Sequence, residues 1–286
     1  MAGTQELAYG WVPPALAYGV SVLGSLLGLV CTSKARQGDA PGRRAGWLAG
    51  AAISIGGTGI WLMHFLGMLG FAVNGTDVRY TIGLTVLSAA LAIVVVGVGL
   101  AILGTATRPK THRVFSGGLF TGLGVAGMHY TGMAAMQVDG TISYDLPLVA
   151  ASIVIAVIAA TAALWFTIVA RNVHTIAGAA LIMGVAVNGM HYVGMLALRV
   201  KLDHVHSISA GIDLTTALPL IAGLAGAVVS LLLYATLSIP NHDERMMPVE
   251  VACPLAANGP ADPLNRAPRV SPIPAGSGRH APAGRR

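Results

Sequence analysis

The amino-acid sequence predicts an all-α fold, a polytopic membrane protein with seven transmembrane helices, and three observations lead to this prediction. Of the 286 residues, 55% are hydrophobic and only 10% are charged, whereas soluble domains carry about 25% charged residues. The apolar residues form seven runs, each near the roughly 20 residues that a helix needs to cross a bilayer. A six-residue phrase also returns three times, each time near the end of one of these runs.

The seven runs are continuous and do not alternate with polar residues, which favours helices over the strands of a barrel. The first run is interpreted as a helix and not as a signal peptide, because its leader contains Glu6 and no Lys or Arg. We place the spans at residues 12–31, 46–71, 81–104, 114–136, 146–170, 176–198 and 214–239.

The basic residues predict the orientation of the chain. Of its 17 Lys and Arg residues, all but Arg79, Arg199 and Lys201 fall in segments 32–45, 105–113, 171–175 and 240–286. Because basic loops stay in the cytoplasm, we expect the N-terminus outside and the C-terminus in the cytoplasm. The net charge of +6 therefore describes the inner face and gives no case for nucleic-acid binding.

Three segments are expected along the chain. Residues 1–11 form an extracytoplasmic N-terminus, residues 12–239 form the seven-helix membrane domain, and residues 240–286 form a basic Pro/Ala-rich cytoplasmic tail. The tail has no periodic hydrophobic residues, so it cannot bury enough apolar surface to offset its ordering entropy, and we expect it to be disordered.

The repeated phrase carries the only Asp, Glu, Lys, Arg or His side chains inside the apolar runs, and these are three histidines. An imidazole in lipid is costly, so its return at three corresponding positions indicates a function. Glycine also recurs seven residues before and three residues after each histidine. The three copies read Met63-His64-Phe65-Leu66-Gly67-Met68, Met128-His129-Tyr130-Thr131-Gly132-Met133 and Met190-His191-Tyr192-Val193-Gly194-Met195.

The spacing of the copies predicts three helical hairpins in the same orientation, made of spans 2–3, 4–5 and 6–7, with span 1 added in front. Each histidine then lies roughly 10 Å below the outer surface, on the same helix face as the methionine four residues later. Three packed motif helices would bring the imidazoles within reach of a common centre. If the odd-numbered helices intervened, we would expect the histidines to lie too far apart to share one ion.

Imidazole with thioether is a soft ligand set that suits copper, Cu(I) in particular. The layer contains no carboxylate, which argues against calcium, magnesium or a di-iron site. A packing role for the repeated His, Gly and Met residues remains an alternative, because glycine and methionine commonly serve helix packing.

The Met-His-Tyr-Thr phrase in three repeats resembles the MHYT domain, a family of bacterial integral membrane sensors, over roughly residues 12–240. The resemblance implies a copper site near the outer face of the bacterial plasma membrane and the sensing of oxygen, carbon monoxide or nitric oxide. It also implies that Tyr130 and Tyr192 are accessory, although Phe65 stands at that position in the first copy and Thr131 has no counterpart in the other two. The implied metal ligands are Met63, His64, Met68, Met128, His129, Met133, Met190, His191 and Met195.

The function that we expect is therefore a non-enzymatic, copper-dependent membrane sensor, since no phosphate loop, nucleophile elbow or paired carboxylates are found. Members of the family are often fused to signalling domains. The residues of 240–286 are too few and too polar to form one, so an unknown cytoplasmic partner is expected. A copper transporter or chaperone is an alternative, but below the motifs spans 2, 4 and 6 offer only Met183 as a further ligand. Haem held by two histidines is a second alternative that three equivalent copies fit poorly.

Overall fold

Seven long helices account for most of the chain in the computed structural model, which describes residues 6–7, 10–37, 40–69, 71–72, 78–104, 110–138, 140–202 and 211–238. The helices are α1 (Val12–Gln37), α2 (Pro41–Met68), α3 (Ile82–Leu103), α4 (Thr111–Ala134), α5 (Leu146–Val169), α6 (Val173–Leu196) and α7 (Leu214–Ser238).

Within the described residues, six of these helices are long and apolar enough to cross a membrane, and in α7 the qualifying stretch is Ile221–Ser238. The prediction of a helical membrane protein is confirmed at this level. Helix α4 is not among the six; its 24 residues include six glycines and the polar start Thr111-His112-Arg113, which lower its mean hydropathy. The seventh span stays a prediction.

Local signals explain where several helices begin and end. Proline occupies the first turn of α2 (Pro41) and of α5 (Pro147), where its missing N–H costs no hydrogen bond. Helix α6 begins at a capping box, in which the Thr175 amide donates to Asn172 Oδ1 at 2.8 Å. Helix α3 ends at Gly104, whose φ of 72° lies in the region that favours glycine.

Helix α2 changes its winding midway. Its first part, Pro41–Ala52, and its last part, Met63–Met68, are α-helical, and Ile53–Leu62 between them is a π-helix. Gly59 lies so close to Gly24 of α1 that a β-carbon on Gly24 would overlap its backbone. Long π-helices are rare and π segments often occur at functional sites; this one leads directly into the first motif.

Helices α1 to α6 pack in a closed ring in which each contacts the next and α1 contacts α6. Helix α7 packs against α1 and α2, and most of its described side chains are exposed. Helix α1 thus closes the ring between α2 and α6, a place that the order of the helices in the chain does not show. Small residues explain this place, because Gly24 and Gly28 let α1 approach α2 closely.

Short antiparallel strands follow the motif helices, and the sequence did not predict them. Strand β1 (Glu6–Leu7) pairs with β2 (Phe71–Ala72) after α2. Strand β4 (Met136–Gln137), after α4, pairs with β3 (Arg79–Tyr80), which also pairs with β7 (Ile212–Asp213). Strand β6 (Leu198–Leu202), after α6, pairs with β5 (Gly140–Tyr144). The ends of the three motif helices are thus tied to chain segments at one end of the bundle.

The predicted segment boundaries remain predictions. Only residues 6–7 and 10–11 of the expected N-terminal segment 1–11 are described, and the expected tail 240–286 lies outside the described residues.

Candidate metal centre

The three motif histidines meet at the centre of the ring. His64 of α2, His129 of α4 and His191 of α6 are each at most 1% exposed. Nδ1 of His64 lies 3.0 Å from Nδ1 of His191 and 3.1 Å from Nδ1 of His129. In the described part of the chain, this is the group of three or more potential ligands that could hold a metal ion, with its nitrogens all within 4.8 Å of one another.

The odd-numbered helices do alternate with the motif helices in the ring, yet the imidazoles still meet. The expectation that intervening helices would keep the histidines too far apart is therefore wrong. The physical reason is that the side chains reach inward beyond the helix axes and that a glycine faces each one where it would otherwise meet a neighbouring side chain.

The three imidazoles and three glycines interlock in a cycle. A β-carbon on Gly132 would overlap Nε2 of His64, one on Gly194 would overlap Nε2 of His129, and one on Gly67 would overlap Nε2 of His191. Each motif copy thus provides one imidazole and also provides the glycine against which the imidazole of another copy lies. Each of these glycines thus makes room for an imidazole ring.

The rings also contact one another edge to face. Their centroids are 4.8 Å apart for His64 and His129, 5.0 Å for His64 and His191, and 5.3 Å for His129 and His191. Each histidine packs in the same way against the aromatic residue that follows it, Phe65, Tyr130 or Tyr192, at 4.9 to 5.1 Å. The property shared by all three copies at this position is the aromatic ring and not a hydroxyl group.

The hydrogen bonding of the trio fits a bound cation. A neutral imidazole has one N–H and one lone pair, so Nδ1 of His64 cannot make a full hydrogen bond with both of its Nδ1 neighbours. The three Nε2 atoms are buried and have no hydrogen-bond partner. A cation bound by the three Nδ1 lone pairs would satisfy the three Nδ1 atoms at once, and each Nε2 would then carry the N–H that lies against a motif glycine. The separations of 3.0 and 3.1 Å approach the roughly 3.3–3.6 Å between two nitrogen ligands of one such ion.

The six predicted methionine ligands fall into two groups, although all are buried. Met68, Met133 and Met195 share one hydrophobic cluster with residues of the short strands, such as Met136 and Leu198. The three methionines that precede the histidines share no such layer: Met63 packs with Ala17, Leu62 and Leu66, whereas Met128 and Met190 belong to the main core. The structure therefore brings together the methionines four residues after each histidine.

The sequence analysis did not single out two serines that form hydrogen bonds with residues in or next to the motifs. Tyr130 donates its hydroxyl hydrogen to Ser152 Oγ of α5 at 2.7 Å, since that serine donates its own to the Val149 carbonyl oxygen. In the first copy, Trp61 Nε1 donates to Ser88 Oγ of α3 at 3.0 Å. The available signal was a single serine in each of the two apolar runs that form α3 and α5. Tyr192, the other predicted accessory residue, has a buried hydroxyl group without a hydrogen-bond partner.

The apolar helices and the buried imidazoles define a multi-pass membrane protein with a site that could hold a metal ion. The family model MHYT, described as a bacterial signalling protein N terminal repeat, matches residues 57–117, 122–180 and 184–243, and the chain belongs to this family. The resemblance noted in the sequence is thereby confirmed. The three matches begin at Gly57, Gly122 and Gly184, each seven residues before a motif histidine.

Several relatives are signalling proteins. The chain is similar to the bifunctional diguanylate cyclase/cyclic di-GMP phosphodiesterase MucR of Pseudomonas aeruginosa, at 41% identity over 201 residues, 68% of this chain and 29% of the relative. The cyclic di-GMP phosphodiesterase NbdA of the same organism is 33% identical over 68% of this chain and 25% of its own length. Signaling protein YkoW of Bacillus subtilis is 33% identical over 55% of this chain and 20% of its own length. The chain thus spans less than a third of these relatives. No solved structure matches it significantly.

Proposed function

We propose that this protein is a sensor of the bacterial plasma membrane in which His64, His129 and His191 hold one copper ion that binds oxygen, carbon monoxide or nitric oxide. The observation that carries the proposal is the convergence of three buried Nδ1 atoms from three repeats of a signalling family. Three imidazoles without a carboxylate form a site for a late transition metal, and the buried thioethers of Met68, Met133 and Met195 favour copper over zinc.

The protein's own residues exclude water and couple the repeats. The trio is buried, so a ligand reaches it by crossing apolar surroundings, which a small neutral molecule does at little cost. When bound, copper would supply an open coordination position for such a molecule. An imidazole that shifts must press on a glycine of another motif helix, because no free space separates them. Displacement in one hairpin is thereby passed to the next and along the rigid helices to their far ends.

The proposed topology has seven spans, including α4, with an extracytoplasmic N-terminus and a cytoplasmic C-terminus. The strands after α2, α4 and α6 gather at one end of the bundle, which we place outside. Arg43, Arg44 and Arg113 lie in the first turns of α2 and α4 at the opposite end, as the positive-inside rule requires. A signalling partner would therefore contact that end or the segment after α7.

The decisive experiment measures metal in protein purified without oxygen and reconstituted in lipid nanodiscs. We expect one copper ion per chain, lost in His64→Ala, His129→Ala and His191→Ala alike. The exposed histidines His112 and His174 provide the matched controls, since their Ala variants should keep the ion. Carbon monoxide added to the reduced protein should give a single infrared stretching band that the three variants lack.

Three outcomes would overturn the proposal. A haem absorption band would indicate the other cofactor, zinc in place of copper would exclude the sensing chemistry, and a stably folded protein with no metal would leave the trio as a packing device.

A further inference from the structure

A cavity of about 50 Å³ lies inside the ring, on the side of the imidazole trio that faces away from the short strands. Ile60, Val125 and Val187 line it, and each is four residues before a motif histidine on the same helix. Residues four apart lie one above the other on a helix face, about 5.4 Å apart. The cavity therefore begins one helical turn below the trio, and all six ring helices contribute to its wall.

The cavity exists because helix α5 lines it mainly with small side chains: four of its six lining residues are alanines, beside Leu164 and Thr167. Helix α5 lines it with a stripe that includes Ala156 and Ala160, both buried. The larger residues of the facing helices do not fill the space that this stripe leaves. In well-packed interiors, voids larger than a water molecule are few.

The lining offers almost nothing to water or to an ion. It contains no carboxylate, imidazole or amine. Its polar side chains are those of Ser25, Thr121 and Thr167. The hydroxyl groups of Thr121 and Thr167 already donate to the backbone carbonyls of Val95, at 3.4 Å, and of Leu164, at 2.7 Å. A buried water needs two to four polar partners, and apolar cavities stay dry while binding apolar molecules or xenon.

We infer that this cavity binds one small uncharged molecule of diatomic size and is the docking site from which the ligand reaches the imidazole trio. The volume and dry lining select such a molecule over water, ions and lipid chains. The cavity lies one helical turn from His64, His129 and His191, so a molecule bound in it is next to the imidazoles. Its identification as the sensor's ligand site rests on the proposed function, whereas its occupancy by an apolar atom does not require a metal.

Met183 and Met190 both line the cavity and provide a direct readout. The experiment records the methyl NMR signals of methionine-labelled, metal-free protein in nanodiscs under increasing xenon pressure. We expect the two signals to shift and saturate, while that of Met136, buried in the cluster near the short strands, follows only the small linear drift of xenon dissolved in lipid. Equal linear drift at all three methyl groups would overturn the inference.

Cavity-filling variants complete the test. In Ala160→Leu the saturable shift should disappear, and Ala160→Val provides a smaller change if the larger side chain prevents folding. Ala150→Leu on the exposed face of the same helix is the matched control and should keep the shift. A saturable shift that survives in a folded Ala160→Leu protein would also contradict the inference. Because the protein is metal-free, failure of copper binding and failure of the cavity are separate results.

Discussion

Nε2 of His129 occupies the space that a β-carbon on Gly194 would need. The same relationship joins His64 to Gly132 and His191 to Gly67, so the orientation of every imidazole depends on a glycine of a different helix. A glycine that serves only helix packing would tolerate replacement by alanine wherever the neighbouring helix can move aside. Here the obstacle is the ring that carries a proposed ligand atom.

Gly194→Ala should therefore displace the His129 imidazole and weaken copper binding by about 10- to 100-fold, the range seen for groups that orient metal ligands. The measurement is competition with a copper(I) chelator. Gly189→Ala is the control, because it lies on the same helix and a β-carbon there meets nothing within 4 Å. Equal affinities in the two variants would show that Gly194 does not position the site.

The methionines four residues after each histidine, which share one cluster near the strands, should matter for the metal more than those that precede the histidines. Met68→Leu, Met133→Leu and Met195→Leu keep nearly the same volume, so folding should cost under about 1.5 kcal/mol each. We expect these variants to lose the sulfur scattering from the copper X-ray absorption spectrum. Met63→Leu and Met128→Leu should keep it, since those residues lie outside the shared layer. Loss of sulfur scattering in this second pair would refute the distinction.

Tyr130→Phe should leave the metal bound, because Phe65 stands at the same position of the first copy. The variant loses the hydrogen bond to Ser152 Oγ, whose net contribution to the free energy of unfolding is about 0.5–1.5 kcal/mol. Unfolding of Tyr130→Phe, Ser152→Ala and the double variant measures the coupling. Loss of copper from Tyr130→Phe would assign the hydroxyl group a direct role.

The ion pair between Arg199 of β6 and Asp145 at the start of α5, 2.7 Å apart, predicts that the free energy of unfolding depends on pH. The hydrogen bond from Arg199 lowers the pKa of Asp145 below its usual 3.8. The ionised carboxylate therefore stabilises the fold above that pH, and this contribution is lost as the pH falls through the lowered pKa. In Arg199→Gln the pKa should rise toward 3.8, as an NMR titration of the Asp145 carboxyl carbon would record. An unchanged pKa would mean that Arg199 does not act on this group.

Much of the helical framework could be predicted from the sequence, because apolar runs of bilayer length leave few alternatives to a helix. The motif histidines could be singled out for the same reason, since an ionisable side chain in lipid is rare. The π-helix of Ile53–Leu62 and the short strands could not be predicted, because both depend on contacts between helices and loops that are distant in sequence.

The place of α1 and the role of the motif glycines were also beyond sequence reasoning. Hydrophobicity distinguishes α1 from α7 poorly, and only packing through Gly24 and Gly28 puts α1 in the ring. The spacing from histidine to glycine was visible within each copy, whereas the contact that matters joins different copies. A pattern read along one helix does not show which neighbour it meets.

The cyclic arrangement has a consequence for how the protein is made. His64 and His191 are 127 positions apart, so the first imidazole enters the membrane long before the helix that carries its partner has been synthesised. The imidazoles of His64 and then of His129 therefore lack their final neighbours until α6 has been synthesised and packs against α1. The histidine trio is thus among the last features to form during biogenesis. Metal bound to it would show that six helices have been inserted and packed.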